Sequence, residues 1–85
     1  MHKITYKKSA IKGLRKMPAK QQRQLREALE RLAQDPQRTD LDTRKLRGRS
    51  GFRLRVGGWR AIYRVEDGEL VILVLDIGPR GDVYK

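Results

Sequence analysis

Residues 52–65 read FRLRVGGWRAIYRV, and the spacing of Arg53, Arg55 and Arg60 within them is where chemistry is to be sought. Phe52, Leu54 and Val56 alternate with Arg53 and Arg55, two glycines intervene, and the alternation resumes at Trp59, Arg60 and Ala61. Gly57-Gly58 between two alternating runs predicts a two-residue hairpin loop, since such turns need positive φ. That loop sets Val56 opposite Trp59, Arg55 opposite Arg60, Leu54 opposite Ala61, Arg53 opposite Ile62 and Phe52 opposite Tyr63. Cross-strand partners share a face. One face therefore carries Phe52, Leu54, Val56, Trp59, Ala61 and Tyr63; the other carries Arg53, Arg55 and Arg60 around Ile62, with Arg64 further along. Like charges directly opposite one another destabilise a sheet. The ordinary reading is a solvated face that keeps the sheet soluble. The hairpin strands offer these arginines no acidic partner, and that favours an anion site.

The elements that position this hairpin follow from the rest of the chain. Lys3 to Tyr6 predicts a short strand with Ile4 and Tyr6 on one side. Ile11, Leu14 and Met17 keep helical spacing after Ser9, a candidate N-cap, and the helix runs through Lys16 despite Gly13. Pro18 breaks it and can open the next helix. From Pro18 to about Gln34, Leu25, Ala28, Leu29 and Leu32 share one face of an amphipathic helix. Asp35-Pro36 ends it, and residues 36–50 are expected as a polar loop interrupted by Leu41 and Leu46. Asp67-Gly68 predicts a second hairpin turn. The run Leu70 to Leu75, LVILVL, is apolar throughout and is expected as a central strand covered on both faces. Gly78-Pro79 ends that strand.

The fold class expected is α+β: an N-terminal strand and a helical hairpin packed on one face of an antiparallel sheet built from a C-terminal three-strand meander. The arginines then lie on the opposite face, over a floor of Val71, Leu73 and Leu75, with Arg80 and Tyr84 bordering the cleft.

Eighty-five residues suit one domain, here taken as residues 1–85. The absence of cysteine removes disulfides and thiolate metal sites. No apolar run is long enough to span a bilayer and no signal peptide is recognisable, so a cytoplasmic protein is expected. Twenty-one Lys and Arg against ten Asp and Glu give a formal charge of +11, which favours polyanions, nucleic acid above all. An anionic membrane or an acidic protein partner would also suit that charge, although the helix lacks the bulky aromatic edge of a membrane-surface helix.

The order KLRG, GFRLRVGGWRAIYRV, a DG turn, LVILVLDIG and PRGDVYK resembles the RelE/ParE superfamily of bacterial type II toxin–antitoxin toxins, over the whole chain and most specifically from Lys45 to Tyr84. Within it the chain looks closer to the RelE branch, whose members cleave messenger RNA in the ribosomal A site. The resemblance implies that Arg53, Arg55, Arg60, Arg80 and Tyr84 form the catalytic set. It also implies attack by the 2′-hydroxyl to leave a 2′,3′-cyclic phosphate, without cofactor or metal. Such a reaction needs proton removal, cations around the phosphorane and proton donation to the leaving oxygen. His2, the one histidine, stands at the terminus and is not a candidate. The family often has lysine where this chain has Arg53 and Arg55, and arginine cannot serve as a base near neutrality. Tyr84 remains as a phenolate among guanidinium groups, or as a platform for a base. Arg60 and Arg80 are expected to clamp the phosphate, with Arg53 and Arg55 stabilising developing charge.

The ribosome would supply orientation, with Lys12, Arg15, Lys16, Arg23, Arg44, Lys45, Arg47 and Arg49 gripping ribosomal RNA. For most of these, simple helix solubility is an equal alternative. A cognate antitoxin is implied as partner, with operator DNA bound only as the complex. The competing readings are a ParE-like toxin that inhibits DNA gyrase by binding, without ribonuclease activity, and a non-enzymatic nucleic-acid-binding module. For the module, no recognition-helix motif or aromatic stacking pair is present.

Overall fold

A computed structural model describes residues 2–79, apart from the side chain of Asp67. The elements run β1 (Lys3–Tyr6), α1 (Lys8–Lys16), α2 (Ala19–Gln34), β2 (Thr43–Lys45), β3 (Phe52–Val56), β4 (Trp59–Glu66) and β5 (Val71–Pro79), with a 3-10 turn at Asp67–Glu69. The strands form one five-stranded sheet in the order β1-β5-β4-β3-β2. β3, β4 and β5 make the expected antiparallel meander. The sheet is mixed, because β1 joins it parallel to β5, pairing Lys3 with Val71 and Tyr6 with Val74. A parallel partner needs a crossover. The two helices supply it.

The β3–β4 register has the five pairs that the two-residue loop requires, from Val56↔Trp59 to Phe52↔Tyr63. Gly57 takes positive φ (60°) and Gly58 does not, which is the II′ pattern. The face bearing Leu54, Ala61 and Tyr63 is buried beneath the helices, with Phe52, Val56 and Trp59 partly covered at its margins. The Phe52 and Tyr63 rings stack with centroids 5.5 Å apart. Leu25, Leu29 and Leu32 of α2, with Ile72 and Val74 of β5, complete this core, each fully buried.

Several local expectations are corrected. The buried face of α1 carries Ala10 and Gly13, with Met17 just beyond its end, while Ile11 stands exposed. Small residues let α1 lie very close to β5: a Cβ on Gly13 would overlap the Ile77 carbonyl oxygen. Ser9 does not cap α1, whose N-cap is Lys7 without a side-chain bond. The β4–β5 ladder shifts register at Ile62/Tyr63, leaving Leu75 between the partners of those two residues. A bulge leaves its extra residue outside the ladder, and the Ser9 hydroxyl donates to the Leu75 carbonyl at 2.6 Å. The Asp67-Gly68 stretch is no two-residue hairpin turn. Glu66 pairs with Val71, so four residues link the strands, and Leu70 takes the left-handed conformation at φ 54°.

β5 is interior as expected but covered unequally. Ile72, Val74 and Ile77 are buried against the helices, whereas Val71, Leu73 and Leu75 are half-buried on the other face. Residues 36–50 are not wholly loop, since Thr43–Lys45 pairs with β3 as the edge strand β2. Beyond it the chain closes through a Leu46 N–H bond to the Gly51 carbonyl at 3.0 Å. Leu46 then buries itself with Ile62 against Leu75, a small second core on the face away from the helices.

Candidate nucleic-acid interface

Strand alternation and register put the arginines on the uncovered face. Arg44 of β2 pairs with Arg53 of β3, and Arg55 with Arg60 of β4. Paired residues in an antiparallel ladder lie about 4.5–5.5 Å apart at Cα, so the four arginines share a patch three strands wide. The second core forms its floor. Arg44, Lys45, Leu46, Arg47 and Arg53 line a cleft of about 390 Å³ on its β2 side.

The expectation that the hairpin strands offer no acidic partner is corrected by Glu66 of β4, and Asp42 supplies a second partner from outside the hairpin. Arg55 forms an ion pair with Asp42, Nε to carboxylate oxygen at 2.8 Å, and Arg64 forms one with Glu66 at 3.0 Å. Asp42 comes from the loop before β2 and is aligned by a backbone bond, Arg55 N–H to Asp42 carbonyl, at 2.9 Å. Arg60 is different. Its Nε is shielded from solvent and has no hydrogen-bond partner among the described residues, as is also true of Arg64 Nε. A buried donor left unmade costs about 1–3 kcal/mol. Arg60 is thus a cation with a donor in need of an acceptor, directly opposite another cation.

The remaining sequence candidates divide by position. Arg44, Lys45 and Arg47 join Arg53 around one cleft. Arg49 is exposed in the turn beyond it. Lys12 and Lys16 line a separate cleft of about 240 Å³ that also includes Trp59, Asp76 and Pro79. Arg15 is exposed near the end of α1. Arg23 shares a third cleft with Arg26, Glu27 and Glu30 on α2, where acids offset the bases. The structure therefore brings Arg44, Arg53, Arg55 and Arg60 together on the open sheet face and keeps Arg23 apart from them. Arg80 and Tyr84 lie outside the described residues.

Sequence reasoning missed Asp42 and β2 together. The signal was present: Asp42 and Arg44 alternate with Leu41, Thr43 and Lys45, a short strand pattern hidden by polarity. Tyr63 offers no chemistry to this face. It is 2% exposed, on the helix side, and burial pushes its phenol up to about 12, with a hydrogen bond from Thr43 acting the other way. Among the described residues, no group of three or more His, Asp or Glu side chains is placed to hold a metal ion. No helix is long and apolar enough to cross a membrane.

This arrangement has relatives. The profile of the ParE toxin family of type II toxin–antitoxin systems matches residues 4–84. The chain belongs to that family. Within the RelE/ParE superfamily it is a RelE-like member by its similarities. It is 29% identical over 87 residues to the mRNA interferase toxin RelE of Escherichia coli K12, across 96% of this chain and 88% of the relative. A putative RelE-like toxin protein of Escherichia coli is 27% identical over 86 residues, covering 99% of this chain and 90% of that one. The crystal structure of the archaeal RelE–RelB complex from Pyrococcus horikoshii superposes with a TM-score of 0.81 at 30% identity, over 96% of this chain and 98% of that chain. RelE-like toxins thus share with this chain the two helices packed on a mixed sheet.

Proposed function

We propose that this protein is the toxin of a type II toxin–antitoxin pair and a ribosome-dependent endoribonuclease that cuts messenger RNA in the A site. The observation that carries the reading is the open arginine face: Arg44, Arg53, Arg55 and Arg60 in one register, with Arg60 Nε buried and unpartnered. A phosphodiester answers both features, placing negative charge between the opposed guanidinium groups and accepting from the unpartnered donor. The mRNA interferase name of the Escherichia coli relative supports the same chemistry.

In this mechanism the 2′-hydroxyl attacks the adjacent phosphorus and the 5′-oxygen leaves, giving a 2′,3′-cyclic phosphate without a metal ion. Arg60 clamps the phosphate while Arg53 and Arg55 stabilise charge on the phosphorane; loss of one such donor typically costs about 10²–10³ in rate. Arg80 completes the clamp, and Tyr84 stacks on a base or takes part in proton transfer, both assigned from the family motif PRGDVYK. Sheet-borne Arg44, Lys45 and Arg47 extend the grip along RNA, and the ribosome holds the message in line for attack. The cognate antitoxin, by analogy with the RelE–RelB complex, neutralises the toxin by covering or displacing this surface.

The test is primer extension on a defined message in a reconstituted translation system, with wild type and Arg80→Ala compared. Cleavage at A-site codons by wild type alone, and only with ribosomes, is the expected result. The family profile's ParE description motivates the second arm, a gyrase supercoiling assay. Inhibition there without RNA cleavage overturns the ribonuclease reading.

A further inference from the structure

Among the described residues, Asp42 brings a carboxylate to the β2 edge of the arginine face, ion-paired with Arg55. Thr43 pairs with Leu54, so Asp42 continues the ladder to stand beside Arg55. The row across the sheet is Asp42, Arg55, Arg60: a carboxylate, then two guanidinium groups, at steps of about 5 Å. Other described carboxylates are poorly placed. Glu66 lies six residues beyond Arg60 along β4, about 20 Å away, and is engaged by Arg64. Asp76 pairs with Ile62 in the ladder, but its Oδ1 accepts from the Ile77 N–H at 3.0 Å and its side chain lines the cleft beside Ser9 and Lys12. Asp40 is gripped by Arg38 through two bonds, which hold its carboxyl below the usual range.

Resting on the ribonuclease reading, we propose that Asp42 is the base that takes the proton from the attacking 2′-hydroxyl. A phosphate seated between Arg55 and Arg60 sets its neighbouring ribose within one sugar's width, and the Asp42 side of the row is open to receive it. The O2′–H bond breaks with its proton passing to the Asp42 carboxylate. O2′ forms the bond to phosphorus, the P–O5′ bond breaks, and the leaving 5′-oxygen takes a proton from water. Asp42 then returns its proton to solvent. The arginines cannot perform the first step, because guanidinium does not give up its charge near neutrality. The Asp42–Arg55 pair suits the task because it is half exposed, at 41% and 50% of the two side chains. Such a pair is weak. Arg55 is free to turn to an incoming phosphate while Asp42 stays anchored by its backbone bond.

The test uses Asp42→Asn, which keeps an oxygen for Arg55 Nε but accepts no proton, and Asp42→Glu, which restores a carboxylate. Single-turnover cleavage is measured on programmed ribosomes at saturating toxin. Affinity is measured with a message carrying a 2′-deoxynucleotide at the scissile position. The expected result is a rate about 10²–10⁴ lower for Asp42→Asn at unchanged affinity, with part of it recovered by Asp42→Glu. Cleavage by Asp42→Asn at the wild-type rate overturns the assignment. So does a loss confined to affinity, which makes Asp42 a positioning residue for Arg55. A wild type that cuts nothing overturns the ribonuclease reading itself, and this assignment falls with it.

Discussion

Opposed arginines in an empty cleft should cost stability, and the structure says which of them costs more. Arg60 and Arg55 face each other across β3 and β4, so both bear the same cross-strand repulsion, about 0.2–1 kcal/mol. Arg55 recovers that through Asp42, in an exposed pair worth about 0–1 kcal/mol. Among the described residues Arg60 has no such offset, and it adds a shielded, unpartnered Nε, at about 1–3 kcal/mol. Methionine keeps an unbranched apolar stem of similar reach and removes only the charged head. Arg60→Met should therefore stabilise the free protein by about 1 kcal/mol, the lower end of the range, because the side chain is only half-buried. For a domain this size that raises Tm by about 4–8 °C. Arg55→Met should change stability by less than about 0.5 kcal/mol, since relief of repulsion and loss of the ion pair oppose each other. The assay is thermal and urea denaturation followed by circular dichroism, at low salt and near 1 M salt, where the Debye length falls to about 3 Å. Repulsion is screened there and the unpartnered donor is not, so most of the Arg60→Met gain should persist. An Arg60→Met protein no more stable than wild type, or indistinguishable from Arg55→Met, refutes the reasoning. The open face would then be an ordinary solvated one.

Two further outcomes test the frame that holds the site. Gly13→Ala should push α1 off β5, because the added carbon would lie 2.6 Å from the Ile77 carbonyl carbon. Overpacking against backbone costs about 1–3 kcal/mol or more, read as a lowered urea midpoint, whereas Lys12→Ala, on an exposed position of the same helix, should leave it unchanged. The Tyr63 phenol is pushed from 10.0 up to about 12 by burial, so the folded state keeps a proton that the unfolded chain releases. That contribution is complete below about pH 10 and is lost as pH rises towards 12. The alkaline limb of the stability profile should flatten in Tyr63→Phe, with phenolate absorbance as the independent readout; an unchanged limb assigns it elsewhere.

The hairpin was legible because alternation and a two-glycine loop leave one register that puts Leu54, Ala61 and Tyr63 on a single face. Amphipathic α2 was legible for the same reason, its Leu25, Leu29 and Leu32 recurring at helical spacing. β1 was read as a strand but not as a parallel partner of β5, because four residues carry no information about direction. Ser9 misled, because a hydroxyl before a helical pattern reads as a cap whereas its partner is a bulge carbonyl 66 residues away. α1 misled at one position: Leu14 and Met17 pack on the core as their spacing suggested, but Ile11 stands exposed, because close approach to β5 favoured Ala10 and Gly13. In the site, the arginine register was readable from local pattern. Asp42 was not, because it reaches Arg55 only once a three-residue polar edge strand has formed.

That difference in legibility has a physical counterpart in how the site is divided. The helices fill one face of the sheet, so chemistry is confined to the other, where the floor is no more than Leu46, Ile62 and Leu75. Arginines fixed on β3 and β4 gain rigidity from the ladder and can be held close only because the hairpin leaves them no alternative register. The carboxylate enters from the loop before an edge strand, backed by a single backbone bond to Arg55. A site assembled this way holds the backbone of its arginines at ladder spacing, while the exposed Asp42–Arg55 pair is weak enough for Arg55 to turn to RNA. If Asp42 merely balanced the charge of Arg55, asparagine in its place would leave the cleavage rate unchanged; if it takes a proton, the exposed pair must open as Arg55 turns to the phosphate, leaving the carboxylate free to act. Arg55→Lys, which keeps the charge but not the planar fork, should weaken binding of uncleavable RNA and slow cleavage while leaving the fold intact.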